Sequence, residues 1–202
     1  MARESKIYGI DLDGVCFDFT TAFSGWLKEK LCVDYKEEDI VEYHWYKCIP
    51  SISEENFFKE FHRFGHAGMY ANLSLLPGAT VAVDRIRSRG HKLWFVTARP
   101  KYARNDTIDA VQKAFGVSEK QIVFSGGKDY KAEAVNLLGV NVFVEDGPHY
   151  AESVANGTRS LVYLMDKPYN RKVTNPKIIR VNSWADVMQE EGLYEDSNTL
   201  VG

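Results

Sequence analysis

The chain reads as an α/β protein, a parallel sheet flanked by helices, with a small helical cap inserted after the first strand. Three observations lead there. Short apolar runs alternate with helical patterns along most of the 202 residues, the order that builds parallel sheets through crossover connections. Acids or hydroxyl-bearing turns follow several of those runs, where open α/β sheets place ligands. Residues 18–77 break the alternation with helical pieces and loops dense in aromatic rings.

The elements follow in order. Ile7-Tyr8-Gly9-Ile10 is an apolar run suited to a buried strand, expected over 6–10. An amphipathic helix fits 18–31. Farther into the insertion, Phe57, Phe58, Phe61 and Phe64 recur at helical spacing and are expected to form the insertion's own core. Tyr43-His44-Trp45-Tyr46 carries four consecutive rings that cannot all face one way, so at least one is expected to face a cavity or the junction with the sheet. Beyond the insertion, strands fit 91–97, 121–124, 140–145 and 160–164, separated by helices at 79–89, 102–115, 130–138 and 149–156. A last short helix fits 183–192, with Ser183 as its N-cap. The tail after Tyr194 is expected to fray.

Composition narrows the function classes. A chain that is 45% hydrophobic can bury a sizeable core. Its net charge of −3 with scattered basic residues gives no footprint for a nucleic-acid duplex. No apolar stretch approaches the roughly 20 residues that span a bilayer, and the first residues lack the apolar segment of a secretion signal. The expected compartment is therefore the cytoplasm, with no membrane partner. Cys16, Cys32 and Cys48 have no metal-site spacing and are expected to be reduced thiols. Cys16, beside the acids, is expected to serve as a small buried hydrophobe.

Asp11-Leu12-Asp13-Gly14-Val15 follows the first strand directly. Residues i and i+2 of an extended chain point the same way, so Asp11 and Asp13 can share one small volume. Two anions that close call for a cation, and hard carboxylate oxygens suit Mg²⁺. Gly14 allows the sharp turn that keeps the site open. An ordinary acidic turn is the competing reading.

Three more elements lie at expected strand ends. In Thr97-Ala98-Arg99-Pro100 a hydroxyl and the amides of Ala98 and Arg99 suit phosphate oxygens, while Arg99 either clamps a phosphate or pairs with a surface acid. Ser125-Gly126-Gly127-Lys128-Asp129-Tyr130-Lys131 offers two lysines, either of which could face the charge that gathers on a transferring phosphoryl group. Its glycine pair lacks a P-loop's flanks and is expected to be a turn. In Glu145-Asp146 adjacent residues point oppositely unless the strand has already turned, so one acid is expected to bind a metal directly and the other to support it.

With these four elements the chain resembles the haloacid dehalogenase-like phosphohydrolase superfamily. More narrowly it resembles the 5′(3′)-deoxyribonucleotidases, or cytosolic type C nucleotidases, with their bacterial and phage relatives. The narrower likeness is carried by Asp18-Phe19, Thr97-Ala98-Arg99-Pro100, Lys131 with Leu138-Gly139, Glu145-Asp146, and Lys167-Pro168-Tyr169-Asn170. The resemblance implies a Rossmann-like core from 1–17 and 78–202, capped by 18–77. It implies a Mg²⁺-dependent phosphomonoesterase acting on nucleoside monophosphates, in which Asp11 attacks phosphorus and Asp13 serves as acid and base. The metal would be held by Asp11, the main-chain carbonyl of Asp13, and Asp146, with Glu145 the second choice. Thr97, Ala98, Arg99 and Lys131 would bind phosphate. Lys131 is preferred to Lys128 because it precedes Glu145 by 14 positions (145 − 131). Phe19 and Trp45 would contact the base, and a homodimer is compatible with the family. One departure stands out: the family usually has aspartate where this chain has Glu145, whose reach is about 1.5 Å longer, a strain on a compact octahedral site. A phosphatase for another small metabolite and a noncatalytic phosphate-binding protein remain open readings.

Overall fold

In the computed structural model, which describes residues 4–194, six parallel strands form one sheet in the order β3-β2-β1-β4-β5-β6. The strands are β1 (Ile7–Ile10), β2 (Lys92–Thr97), β3 (Ile122–Phe124), β4 (Val142–Glu145), β5 (Leu161–Met165) and β6 (Ile178–Val181). The helices are α1 (Phe19–Leu31), α2 (Glu54–His66), α3 (Ala79–Ser88), α4 (Arg104–Phe115), α5 (Lys128–Leu137), α6 (Pro148–Gly157) and α7 (Trp184–Glu190). The tail after Tyr194 lies outside the described residues. No helix among those described is long and apolar enough to cross a membrane.

Central β4 explains the two-sided core. All four of its residues are buried, as expected for a parallel strand covered on both faces. Val142 and Val144 pack into the core that includes α3, α4 and α7, whereas Phe143 packs against α5 and α6, the period-2 alternation of an extended chain. The order of the strands reverses at β1, which pairs with β2 on one side and β4 on the other. A crevice opens there at the carboxyl ends.

Between β1 and β2 the chain forms only helical elements and loops. Helix α1 starts where the Asp18 side chain accepts the Thr21 amide, and α2 starts where Ser53 caps Asn56. The ends of this segment are tied to each other: the Asp18 amide donates to the Ser74 carbonyl and the Leu76 amide to the Cys16 carbonyl, both at 2.8 Å. Phe23, Phe57 and Phe64 are buried at its centre. Phe58, expected in that core, is instead 39% exposed. It directly follows Phe57, so the helix turns it about 100° away from the buried stripe.

The segment is fastened to the sheet domain on two sides. Lys167 and Lys172 pair with Glu37 and Glu42 at 2.9 and 2.5 Å. Opposite them, Tyr102 bonds His62 at 3.0 Å and stacks on His66 at 4.2 Å. Ser183 caps α7 as expected, accepting the Asp186 amide. Strand β6 is a sixth strand beyond the five expected, and its Ile178-Ile179-Arg180-Val181 is β-branched at three of four positions.

Candidate active site

Asp11 immediately follows β1, and its amide donates to the Val144 carbonyl at 3.0 Å, extending the ladder to β4 by one bond. Its carboxylate therefore meets the residues that end β4. Oxygens of Asp11, Glu145 and Asp146 lie within 4.8 Å of one another, and all three side chains are buried. Lys131, 1% exposed, reaches this cluster from α5. Its Nζ donates to Asp11 Oδ1 at 2.7 Å and to Glu145 Oε2 at 2.8 Å.

The electrostatics follow from burial and crowding. Burial first, then the charge of Glu145, pushes the Asp11 carboxyl up to about 7, against the pull of Lys131. Asp146 is held well above its ordinary range by burial and by the charges of Glu145 and Asp11. Burial opposes the charge on Lys131, yet Asp11 and Glu145 outweigh it and raise its pKa. An all-oxygen, net anionic donor set of this kind fits a hard divalent cation.

The Glu145 departure is absorbed by its fold-back. Its Oε1 accepts the amides of Asp146 and Gly147 at 3.1 and 2.9 Å, while Oε2 takes Lys131. The extra methylene serves that turn, and both oxygens are engaged. Asp146 accepts the Tyr169 hydroxyl at Oδ2. Gly14 makes room for it: a Cβ there would lie 1.9 Å from Asp146 Oδ2, at a φ of +76° that L side chains rarely adopt. Gly14→Ala should consequently displace Asp146 and abolish turnover in a chain that still folds, measured by hydrolysis rate beside melting temperature. Full activity in that variant would mean that the placement of Asp146 is not critical.

The pairing of Arg99 differs from expectation. Asp11 and Asp13 face the same cavity, as expected, and the Asp13 charge acts on Asp11, but the Asp13 carboxylate is not part of the three-acid cluster. Arg99 grips it with two bonds, Nε to Oδ2 at 2.9 Å and an Nη to Oδ1 at 2.7 Å. The guanidinium is buried over the rings of Tyr70 and Phe17 and also reaches Thr107. Arg99 is therefore neither a free phosphate clamp nor the partner of a surface acid. Its amide is engaged too, donating to Thr97 Oγ1 at 3.1 Å. Thr97 and Ala98 do line the site.

These groups open into a cavity of about 270 Å³ whose far wall belongs to the inserted segment. Phe19, Tyr43, His44, Trp45, Phe57, Phe58, Phe61 and Tyr70 line it, so the four-ring run contributes three members. Trp45, expected as a stacking platform, is only 5% exposed and wedged among Phe19, Phe23, Tyr35 and Phe57. It is as much core as wall. Cys16 is fully buried, and burial raises its thiol well above the ordinary value. Residues at the site to which sequence reasoning gave no role are Tyr169, Asn170, Tyr70 and Tyr150. The available signal was the Lys167-Pro168-Tyr169-Asn170 run, placed just past a strand that neighbours β4.

Known proteins similar to this chain are nucleotidases and hydrolases of the haloacid dehalogenase-like family. A profile of the 5′ nucleotidase, deoxy (pyrimidine), cytosolic type C family matches residues 5–191. A protein of Halalkalibacterium halodurans that carries a provisional nucleotidase name is 29% identical over 185 residues, 91% of each chain. A Clostridium acetobutylicum nucleotidase is 26% identical over 201 residues, covering 95% of this chain and 96% of its own. In fold, the chain is similar to a haloacid dehalogenase-family hydrolase from Deinococcus radiodurans R1 crystallised with phosphate and sodium. That likeness has a TM-score of 0.65 at 14% identity, over 98% of this chain and all of that one. The chain thus belongs to the 5′ nucleotidase, deoxy (pyrimidine), cytosolic type C family, phosphoric monoester hydrolases on the haloacid dehalogenase-like fold.

Proposed function

We propose that the chain hydrolyses nucleoside monophosphates to nucleoside and phosphate through an aspartyl-phosphate on Asp11. The observation that carries this reading is the buried Asp11 carboxylate, bonded by Lys131 and opening onto an aromatic-walled cavity. Asp11 attacks phosphorus, the ester oxygen departs, and Asp13 gives that oxygen its proton. Asp13 then takes a proton from the water that cleaves the acyl phosphate and frees Asp11. Arg99 holds both oxygens of Asp13, so a proton passes at either one only when the corresponding bond opens as substrate enters. The Lys131 ammonium and the Thr97 and Ala98 groups receive the phosphoryl oxygens.

Asp11, the main-chain carbonyl of Asp13 and Asp146 would hold Mg²⁺, which when bound neutralises charge between nucleophile and phosphate. Glu145, with both oxygens engaged, fits the role of anchor for Lys131 better than that of ligand. Residues 18–77 act as a cap that shapes the leaving-group side of the cavity and excludes water.

Hydrolysis of p-nitrophenyl phosphate with and without Mg²⁺, followed by a panel of deoxy- and ribonucleoside monophosphates, tests the reading. Metal-dependent turnover with a preference for nucleotides supports it. Turnover confined to other small phosphate esters reassigns the substrate, and no turnover at all overturns it. Phe58→Ala probes the base wall better than Trp45→Ala, because Phe58 is 39% exposed and lines the cavity without filling the cap core. It should raise KM for a nucleotide by about three- to tenfold, the value of one aromatic contact, and leave glycerol phosphate unaffected. Equal changes on both would remove Phe58 from base recognition.

A further inference from the structure

The run Lys167-Pro168-Tyr169-Asn170 follows β5 and takes no part in the chemistry above. Its two last residues converge on Asp146. The buried Tyr169 hydroxyl donates to Asp146 Oδ2. Asn170, fully buried, donates through Nδ2 to the main-chain carbonyls of Asp146 at 2.8 Å and Met165 at 2.7 Å. Arg180 on β6 fastens Asn170 from behind, bonding its side-chain oxygen at 2.6 Å and its carbonyl at 3.0 Å.

Asp146 needs such a hold. It follows the last ladder pair of β4, Glu145 with Leu164, and two neighbouring carboxylates, Asp11 and Glu145, repel it. A carboxylate in that position swings away from like charge unless something fixes it. We infer that Tyr169 and Asn170 are positioning residues that set the orientation in which Asp146 receives a divalent cation. The inference rests on the proposed metal reading and adds to it the residues that tune that site from outside the carboxylate cluster. Tyr169 also packs edge-on against Tyr43 of the inserted segment, with centroids 5.8 Å apart. Removing its hydroxyl therefore leaves the ring packing in place, and Tyr169→Phe isolates the bond to Asp146.

The experiment is Mg²⁺ titration of the purified full chain by calorimetry, with melting temperatures of the metal-free proteins alongside. Tyr169→Phe should bind Mg²⁺ about tenfold more weakly than wild type, the usual scale for a lost partner of a metal ligand. Tyr163→Phe, which loses an equivalent phenol bonded to Glu191 at 2.9 Å, should bind as wild type does. Arg180→Ala touches neither Asp146 nor the cluster and reads out the same support independently of how Tyr169→Phe folds; it should show a smaller loss in the same direction. Wild-type binding matched by both Tyr169→Phe and Arg180→Ala overturns the inference and leaves the metal reading intact. A wild-type protein that takes up no Mg²⁺ overturns the metal reading and the inference with it.

Discussion

Asp11→Asn should lose at least about four orders of magnitude in kcat, the scale on which a covalent nucleophile is missed, while gaining stability at neutral and alkaline pH. The amide keeps the shape and can still accept the Lys131 bond, but it cannot form the acyl phosphate. The stability effect follows from the carboxyl's raised pKa. Burial and Glu145 hold Asp11 near 7 in the folded chain against 3.8 ordinarily, so the fold favours its neutral form. Its contribution to stability is complete below about pH 4 and is lost as the pH rises through 7. Asparagine is neutral throughout. Metal-free Asp11→Asn should accordingly match wild type in melting temperature near pH 4 and exceed it increasingly up to pH 8. Residual turnover within tenfold of wild type would sink the covalent step. A melting difference that does not change with pH would sink the assignment of Asp11 as the crowded acid.

Lys131→Met should be the most damaging single change to the fold of the site. The ammonium is buried between Asp11 and Glu145 at 2.7 and 2.8 Å, and removing one partner of a buried ion pair costs about 3–5 kcal/mol. Because its own pKa is raised by those acids, its stabilisation is fully present at neutral pH and is lost only in strong alkali. Without it the carboxylates take up protons more readily, so the deficit should narrow from pH 8 to pH 5. A deficit equal at both values, measured as melting temperature, would show that Lys131 contributes packing and not charge. Turnover should fall by about 10²–10³-fold at any pH where the variant is folded, as when a donor to a developing oxyanion is removed.

Much of this arrangement was legible because local signals coincide with strand ends. The α/β order and most strand and helix positions follow from apolar runs broken by acids and turns, whereas the choice of Lys131 over Lys128 and of Asp146 over Glu145 came from the family resemblance. Side-chain direction past a strand end was not legible. The partnership of Asp13 with Arg99, 86 residues away, has no local signature. Glu145 illustrates the same limit: its spacing was readable, but its fold-back onto the Asp146 and Gly147 amides depends on a loop that exists only once β4 has docked. Phe58 was misplaced for a simpler reason. A four-phenylalanine pattern spans more of a helix circumference than one buried stripe accommodates. Edge strand β6 has no clear sequence signature because four residues carry little periodicity.

The ladder bond from Asp11 to Val144 bears on how the chain becomes active. Asp11 and Lys131 meet across 120 residues, and two other strands and five helices separate β1 from β4 along the chain. Contacts so distant in sequence form late, after the closure entropy of the intervening chain has been overcome. The like charges around Asp11 oppose that encounter until Lys131 arrives. Recovery of hydrolysis during refolding should therefore lag behind the return of helical signal, timing the moment at which the two halves of the sheet join.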